Sequence, residues 1–254
     1  MITTIAFKEK NYITNLAEPL DISIPLEAGP SNVNAWYAPP VKIEPVVMGD
    51  WIGDVNKGGS VNFRNVFLNP HGNGTHTECV GHISKENFTL NKNLKTFFFL
   101  SELITVQPER QGGDLVITQQ HLEHCCHQEN IEGLIIRTLP NNPNKLTRHY
   151  SDTNPPYLHH EAAAWMVNRG IKHLLLDLPS VDREKDDGKL LSHHVFWQYP
   201  INPRMDCTIS ELIFVPDSIE DGLYLLNIQI TALENDASPS KPVLYKLTET
   251  AQDL

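Results

Sequence analysis

The sequence predicts an α/β fold built as one compact domain over residues 1–254. Residues 131–138 and 171–177 are continuously apolar, which is typical of strands buried on both faces. Between them, residues 158–169 have the apolar spacing of a helix, and Gly170 can end that helix as its C′ residue. A strand, helix, strand succession of this length implies two parallel strands joined by a right-handed crossover. The chain has no internal repeat or linker that would divide it.

Other segments also predict the strands and helices of an α/β fold. Residues 97–106 continue an apolar run and predict a buried strand, and residues 117–126 predict a short helix opened by a threonine N-cap. Residues 222–230 and 242–247 predict two closing strands joined by a polar turn. Near the start of the chain, the alternating residues 20–26 are expected to form the first strand.

Charge and composition restrict the class of partner. The chain has 31 acidic and 20 basic residues and a net charge of -11, which disfavours binding to nucleic acid or to an anionic membrane. It contains no apolar run of the ~20 residues that a membrane helix needs. Its 4 cysteines lack the spacing of a disulfide framework. We therefore expect a cytoplasmic protein with reduced thiols that acts on a small molecule.

The most informative stretch is residues 70–82, which contains three histidines and one glutamate. If the chain is extended from Thr75 onward, period-two alternation places His76, Glu78 and His82 on one face. Imidazole and carboxylate ligands together suit zinc, manganese or ferrous iron without any cysteine. This block therefore predicts a metal site.

The residues before this block are expected to bring a further histidine to it. Residues 60–69 alternate and predict a strand that leads to His71, with residues 76–83 as the returning strand. Gly72 and Gly74 can adopt positive φ at low cost, so the backbone can fold back and carry His71 towards the same point. Such a hairpin would place the cluster at the end of a sheet.

A second polar group follows the buried strand at residues 171–177. Ligands in α/β sheets gather at the carboxyl ends of strands, and this end carries residues 177–182. Further on, a helix with His193 or His194 and an element with Glu211 could complete the site. Their spacing is equally compatible with a purely structural role.

Two other segments offer weaker candidates. His121, His124 and His127 lie one helical turn apart, but no partner ligands stand at zinc-finger distance, so a surface helix is the favoured interpretation. Trp36 belongs to a proline-rich, aromatic loop at residues 29–45. This loop either binds a ligand or is a surface excursion held by buried aromatic side chains.

The segment Gly-Thr-His-Thr-Glu-Cys-Val-Gly-His at residues 74–82 resembles the motif of the cyclase family of metal-dependent hydrolases, which includes bacterial kynurenine formamidases. That motif is a histidine, then Gly-Thr-His-x-Asp-x-x-x-His, then a later histidine and glutamate. Here Glu78 replaces the aspartate, and His71 lies one residue further from His76 than in the formamidases. The resemblance implies a compact α/β fold with a central, mixed, barrel-like β-sheet flanked by helices. It extends to four further short segments: residues 21–26, 192–194, 210–212 and 222–224.

The resemblance implies a set of metal ligands. His71, His76 and Glu78 would hold one divalent ion. Glu78, His193 and Glu211 would hold a second, with both glutamates bridging the ions. Zinc is the expected metal, manganese is the alternative, and one or two ions would bind per chain.

It also implies roles outside the ligand set. His82 would be the proton donor and acceptor, and Trp36 would contact the substrate. His194 is the rival of His193 as the late ligand, since the doubled histidine makes the alignment ambiguous. Members of the family usually assemble as homo-oligomers, so a dimer or tetramer is expected.

The resulting hypothesis is hydrolysis of an amide C–N bond, as in an arylformamidase, through a metal-activated water. One alternative uses the same ions for cyclisation, lactone hydrolysis or dehydration of a small carboxylic substrate. Another is a non-catalytic binding protein that metal ions stabilise. An open coordination position with water would argue against the latter.

Overall fold

Strands form most of the regular structure in the computed structural model, which describes residues 1–250. The strands are β1 Ile2–Phe7, β2 Lys10–Asn15, β3 Leu20–Asp21, β4 Lys42–Pro45, β5 Val47–Met48, β6 Trp51–Ile52, β7 Arg64–Phe67, β8 His76–Glu78, β9 Phe98–Val106, β10 Glu109–Gln111, β11 Asp114–Ile117, β12 Gly133–Thr138, β13 Tyr157–Leu158, β14 His173–Leu176, β15 Thr208–Glu211, β16 Gly222–Ile230, β17 Ala237–Lys246 and β18 Thr248–Glu249. The α-helices are α1 Leu90–Asn93, α2 Gln119–Cys125, α3 His160–Asn168 and α4 Leu191–Trp197. None of the helices in this described range is long and apolar enough to cross a membrane.

The core of the fold is a closed barrel of mixed strand direction. The strands pair in the order β16, β9, β12, β14, β15, β8 and β17, and β17 pairs back with β16. The run from β9 through β12 and β14 to β15 is parallel, whereas the remaining pairs are antiparallel. This arrangement confirms the α/β class and the barrel-like core.

Both faces of the parallel strands are buried because each face meets a different apolar layer. On β12, Ile135 belongs to one cluster with Leu175 and Leu226, from two other barrel strands. Leu134 belongs to a second cluster with Ala163 of α3. The helix between β12 and β14 forms as the apolar spacing predicts, and the parallel pair that it connects is also confirmed.

The start of the chain differs from the prediction. The first ordered element is a hairpin of β1 and β2, which β18 extends to three strands. Its side chains are mostly exposed or half-buried, so they give little apolar pattern to detect. The strand predicted at residues 20–26 is reduced to β3, because the Asp21 carboxylate accepts hydrogen bonds from both the N–H and the hydroxyl of Ser23 and turns the chain.

The predicted hairpin before the histidine block is also wrong. Strand β7 pairs with β4, whereas β8 lies between β15 and β17 in the barrel wall. All four residues of β7 are exposed, so no buried face ties this strand to the barrel. The chain therefore enters β8 from a loop and not from a neighbouring strand.

Deleting core volume from the barrel should destabilise it strongly. Ile135 is fully buried, so we expect Ile135→Ala to lower the free energy of unfolding by about 2 to 5 kcal/mol. Ile201 is 95% exposed, and Ile201→Ala should change it by less than about 0.5 kcal/mol. Urea unfolding of both variants measures the difference. Equal losses would contradict the assignment of Ile135 to the core.

Candidate metal centre

Glu78 is the centre of a cluster of imidazoles. Its side chain is fully buried at the end of β8, and its Oε2 atom lies 3.1 Å from Nδ1 of His71 and 3.7 Å from Nδ1 of His82. Its Oε1 atom lies 3.3 Å from Nε2 of His193. Burial by itself raises the pKa of a carboxyl group, but the nearby rings of His82, His193 and His71 outweigh it and hold the pKa of Glu78 well below its ordinary value.

The backbone around β8 is fixed by contacts that the sequence makes possible. Thr75 donates its hydroxyl hydrogen to the Leu212 carbonyl at 2.6 Å and accepts the N–H of Ile24 at 2.8 Å. Gly74 has φ +152°, and a Cβ at this position would lie 2.7 Å from Leu26. At Gly72 a Cβ would lie 2.8 Å from the Ala35 carbonyl oxygen. The turn before β8 therefore requires its glycines.

His76 and His193 present one ring nitrogen to the cluster while an oxygen holds the other. Nδ1 of His76 lies 2.9 Å from the Gly74 carbonyl oxygen. Nδ1 of His193 lies 2.6 Å from Oδ2 of Asp182, whose carboxylate also accepts the backbone N–H groups of Ser192 and His193 at the start of α4. An oxygen on the outer nitrogen is the usual environment of a metal-binding histidine.

The atoms that face inward have no hydrogen-bond partner. Nε2 of His76, Nε2 of His193 and both carboxylate oxygens of Glu78 are buried and unpaired. Buried polar atoms in proteins are nearly always hydrogen-bonded, so a group of four such atoms needs a cause. Ligand atoms around one tetrahedral zinc ion lie about 3.3 Å apart at bond lengths of about 2.0 to 2.1 Å. The side chains present here therefore fit a divalent cation.

Two groups of side chains that contain Glu78 are close enough to share a cation, and a third group, His71, His82 and Asp236, lies beside them. The ligand atoms of His71, His76 and Glu78 lie within 4.8 Å of one another, and so do those of Glu78, His82 and His193. The donor set is imidazole and carboxylate, which suits zinc or manganese.

Glu211 lies beside His76 on the neighbouring strand. Residues His76 and Glu211 are paired across β8 and β15, and Oε2 of Glu211 lies 3.6 Å from Nε2 of His76. Its Oε1 atom accepts the N–H of Val181 at 3.0 Å. Among residues 1–250, none of the groups of three ligand atoms within 4.8 Å contains Glu211.

His82 reaches the cluster by a different route from the predicted one. The strand expected at residues 76–83 ends at Glu78, because Val80–His82 form a 3-10 turn in which the N–H of His82 donates to the Cys79 carbonyl. The side chain of His82 is 30% exposed, compared with 2% for His193. Solvent therefore reaches the cluster on the His82 side.

The two late histidines are separated by the structure. His193 points to Glu78, whereas Nδ1 of His194 lies 3.1 Å from the Tyr199 carbonyl oxygen. The ambiguity in the sequence thus has a geometric answer. Only His193 of this pair stands in the cluster.

Trp36 lies on a loop that touches the turn before β8. The N–H of Ala35 donates to the Gly72 carbonyl at 2.9 Å, which places the loop beside His71. Trp36 has φ +57°, is 40% exposed and borders a shallow depression with Tyr150. Its contact with a substrate stays a prediction.

Helix α2 carries the other group of histidines that could bind a metal, and one of them has a structural role. Nδ1 of His121 accepts the N–H of Thr118 at 3.0 Å and so closes the N-terminus of α2. In the described part of the chain, no close ligand group includes His121, His124 or His127.

The residue that sequence reasoning missed is Asp236. Its Oδ2 atom lies 2.9 Å from Nε2 of His71 and 3.3 Å from Nδ1 of His82. It stands in the polar turn before β17, 154 residues after His82. No spacing pattern in the sequence connects it to the histidine block. The sequence places Asp182 just after a strand, but it does not indicate that Asp182 contacts Nδ1 of His193.

Comparison with known families agrees with this geometry. The Cyclase family model matches residues 20–183, which is more than half of the chain. The chain belongs to the Cyclase family. The matched range includes His71, His76, Glu78 and His82, and it ends before His193.

Individual relatives and solved structures are similar to this Cyclase-family chain over most of its length. A kynurenine formamidase of Bacillus cytotoxicus is 27% identical over 191 residues, which cover 74% of this chain and 82% of that protein. A kynurenine formamidase of Bacillus cereus is 26% identical over 231 residues, 90% of this chain and 97% of that protein. The structure of isatin hydrolase A from Labrenzia aggregata is similar with a TM-score of 0.63 at 13% identity, covering 90% of this chain and 93% of that one.

The paired histidines of α4 offer a sharp test of the centre. Losing an outer hydrogen-bond partner of a metal ligand typically costs about 10- to 100-fold in affinity, and losing a ligand should cost more. We expect His193→Ala to weaken zinc binding by more than about 100-fold and His194→Ala to leave it unchanged. Calorimetric titration of both variants with Zn²⁺ measures this. Equal affinities would argue against a ligand role for His193.

Proposed function

We propose that this chain is a metal-dependent hydrolase that cleaves an amide C–N bond of a small molecule. The observation that carries the proposal is the group of buried, unpaired atoms of His76, Glu78 and His193 beside the more exposed imidazole of His82. The names of the curated relatives support the reaction class, since a formamidase hydrolyses a formamide C–N bond.

Under this proposal His71, His76 and Glu78 would hold one divalent ion, and Glu78, His193 and Glu211 would hold a second. Zinc suits this donor set best and manganese is the alternative. A bound ion of this kind polarises a carbonyl group and lowers the pKa of a coordinated water.

His82 moves the proton. Its ring lies next to Glu78 on the solvent side of the cluster, where a substrate can approach. An imidazole can both accept and donate a proton, so His82 can take the proton of the attacking water and deliver it to the leaving nitrogen.

The substrate site is proposed on the side of the Trp36 loop. A cavity of about 490 Å³ is lined in part by Pro39, Pro40, Phe67 and Pro70, and Pro70 directly precedes His71. Lys42, Glu44, Leu68 and Asn69 complete the lining, and the apolar part of it suits an aromatic ring. Trp36 lies on the same loop as the two prolines and would contact the substrate.

The proposal also includes the domain organisation, the oligomeric state and the cellular location of the enzyme. We infer one domain over residues 1–254 and a homo-oligomer, either a dimer or a tetramer. Phe63 and Val47 are each more than half exposed and lie close together, since the N–H of Val46 donates to the Phe63 carbonyl, and exposed apolar groups of this kind often mark an interface. The cysteines are all free, which suits the cytoplasm.

A second candidate is opening or closure of a ring, as in a lactone, with the same residues. The name of the matching family favours it.

Protein loaded with zinc or manganese should be assayed on N-formyl aromatic amides and on a panel of small lactones. Amide turnover that a chelator abolishes supports the proposal. Turnover of lactones alone supports the second candidate, and turnover of neither supports a metal-stabilised binding protein.

Replacing His82 should separate proton transfer from metal binding. General acid–base catalysis typically contributes about 10²- to 10⁴-fold, so His82→Gln should lower kcat on the amide by that factor. The zinc content, measured by elemental analysis, should stay unchanged. His124→Gln, at an exposed position on α2, is the matched control and should keep full activity. A His82→Gln protein with unchanged kcat would refute the role of His82.

A further inference from the structure

We propose that Asp236 is a positioning residue whose single carboxylate oxygen orients both His71 and His82. The role in catalysis rests on the proposed function, whereas the orientation of the two rings does not. Asp236 lies outside both the histidine block and the residues that the resemblance identifies.

The geometry at Asp236 is that of two hydrogen bonds to one oxygen. Its Oδ2 atom lies 2.9 Å from Nε2 of His71 and 3.3 Å from Nδ1 of His82. The centroids of the two rings are 4.3 Å apart, and the ring planes are tilted by 31°. The two imidazoles therefore lie side by side against the same oxygen atom.

These contacts differ in kind from the contacts of Glu78. Both contacts of Asp236 have hydrogen-bond geometry, whereas the Glu78 oxygens have no hydrogen-bond partner although three imidazoles surround them. A carboxylate that accepts hydrogen bonds from the outer nitrogens of histidines orients those histidines, and a carboxylate with free lone pairs is available as a ligand. This difference favours an orienting role for Asp236, and the experiment below tests it against a ligand role, because the atoms of His71, His82 and Asp236 also lie within 4.8 Å of one another.

The comparison with the other histidines supports this assignment. The outer nitrogen of His76 is held by the Gly74 carbonyl oxygen, and that of His193 by Asp182. Asp236 occupies the equivalent place at His71. Each of the three histidines proposed as ligands then has an oxygen on the nitrogen that faces away from the cluster.

The backbone holds Asp236 in register with Glu78. The Asp236 carbonyl oxygen accepts the N–H of Cys79 at 3.0 Å, and Ala237 pairs with Glu78 across β17 and β8. Gly81 passes so close that a Cβ there would lie 3.2 Å from Cβ of Asp236. The carboxylate is thereby fixed on the same stretch of barrel wall as the ligands.

A single acceptor in this place determines the proton positions of both rings. An N–H at Nε2 of His71 leaves the lone pair of Nδ1 facing Glu78. An N–H at Nδ1 of His82 leaves the lone pair of Nε2 free to accept a proton, and the nearby negative charge stabilises the imidazolium that results.

The experiment compares Asp236→Asn with Glu234→Gln. Glu234 lies in the same turn, but its carboxylate binds Thr89 and Asn91 at 2.7 Å each and does not touch the cluster. Both proteins and the unmodified chain are loaded with Zn²⁺. Zinc content, zinc affinity and the tautomers of the ring nitrogens are measured by elemental analysis, calorimetry and long-range ¹H–¹⁵N NMR.

We expect His82 of the unmodified protein to carry its hydrogen on Nδ1. In Asp236→Asn the zinc content per chain should be unchanged, zinc affinity should fall about 10- to 100-fold, and the His82 tautomer should shift. On an amide substrate kcat should fall about 10²- to 10⁴-fold with a smaller change in KM. Asp236→Glu should restore part of this loss, and Glu234→Gln should match the unmodified protein.

Three outcomes would overturn the inference. Loss of one zinc equivalent in Asp236→Asn would make Asp236 a ligand, and unchanged affinity with unchanged tautomers would make it a bystander. If the variant does not fold, the unmodified protein still decides, because a hydrogen on Nε2 of His82 contradicts the proposal. The affinity and tautomer measurements need no turnover, so failure of the proposed hydrolase activity leaves this test intact.

Discussion

The constraint on which the site depends is the complete burial of the Glu78 carboxylate in the wall of the barrel. Removing an ionised carboxylate from water costs several kcal/mol unless opposite charge or hydrogen bonds replace the lost solvation. Around Glu78 that replacement comes from the imidazoles of His71, His82 and His193. Each of these rings arrives on a different structural element, namely the turn before β8, the turn after it and the start of α4. The folding of all three segments is therefore tied to one side chain.

A second buried carboxylate shows how different a purely structural site is. Asp177, at the end of β14, accepts the N–H of Thr138 at 2.9 Å, its hydroxyl hydrogen at 2.8 Å, and a bond from Nζ of Lys145 at 2.7 Å. Lys145 in turn donates to the Thr138 carbonyl. Both carboxylate oxygens of Asp177 have hydrogen-bond partners, so the pair of Asp177 and Lys145 needs no further ligand. Glu78 is at least as deeply buried and has imidazoles around it, but neither of its oxygens has a hydrogen-bond partner. The presence or absence of hydrogen-bond partners, and not burial itself, therefore distinguishes Glu78 from Asp177.

The sequence predicts those parts of the molecule that local pattern determines. The strands at residues 131–138 and 171–177 and the helix between them are encoded by continuous apolar runs and helical spacing, and they form close to their predicted bounds. The proximity of His76 to Glu78 likewise follows from alternation along three residues of strand. Contacts that depend on closure of the barrel leave no such pattern. Asp236 meets His71 across 165 residues of chain, and the pairing of β8 with β15 and β17 depends on strands that are far away in the sequence.

The two departures from the family motif meet at the contact between His71 and Glu78. The extra residue between His71 and His76 lengthens the turn that carries His71, and glutamate at position 78 has one methylene more than aspartate. With both changes present, Nδ1 of His71 lies 3.1 Å from the carboxylate of Glu78. The other ring nitrogen, Nε2 of His71, faces the loop before β17, where Asp236 supplies an oxygen acceptor. The ring of His71 therefore stands between two carboxylates, one buried in the barrel wall and one in a loop, and both nitrogens of the ring have a defined surrounding.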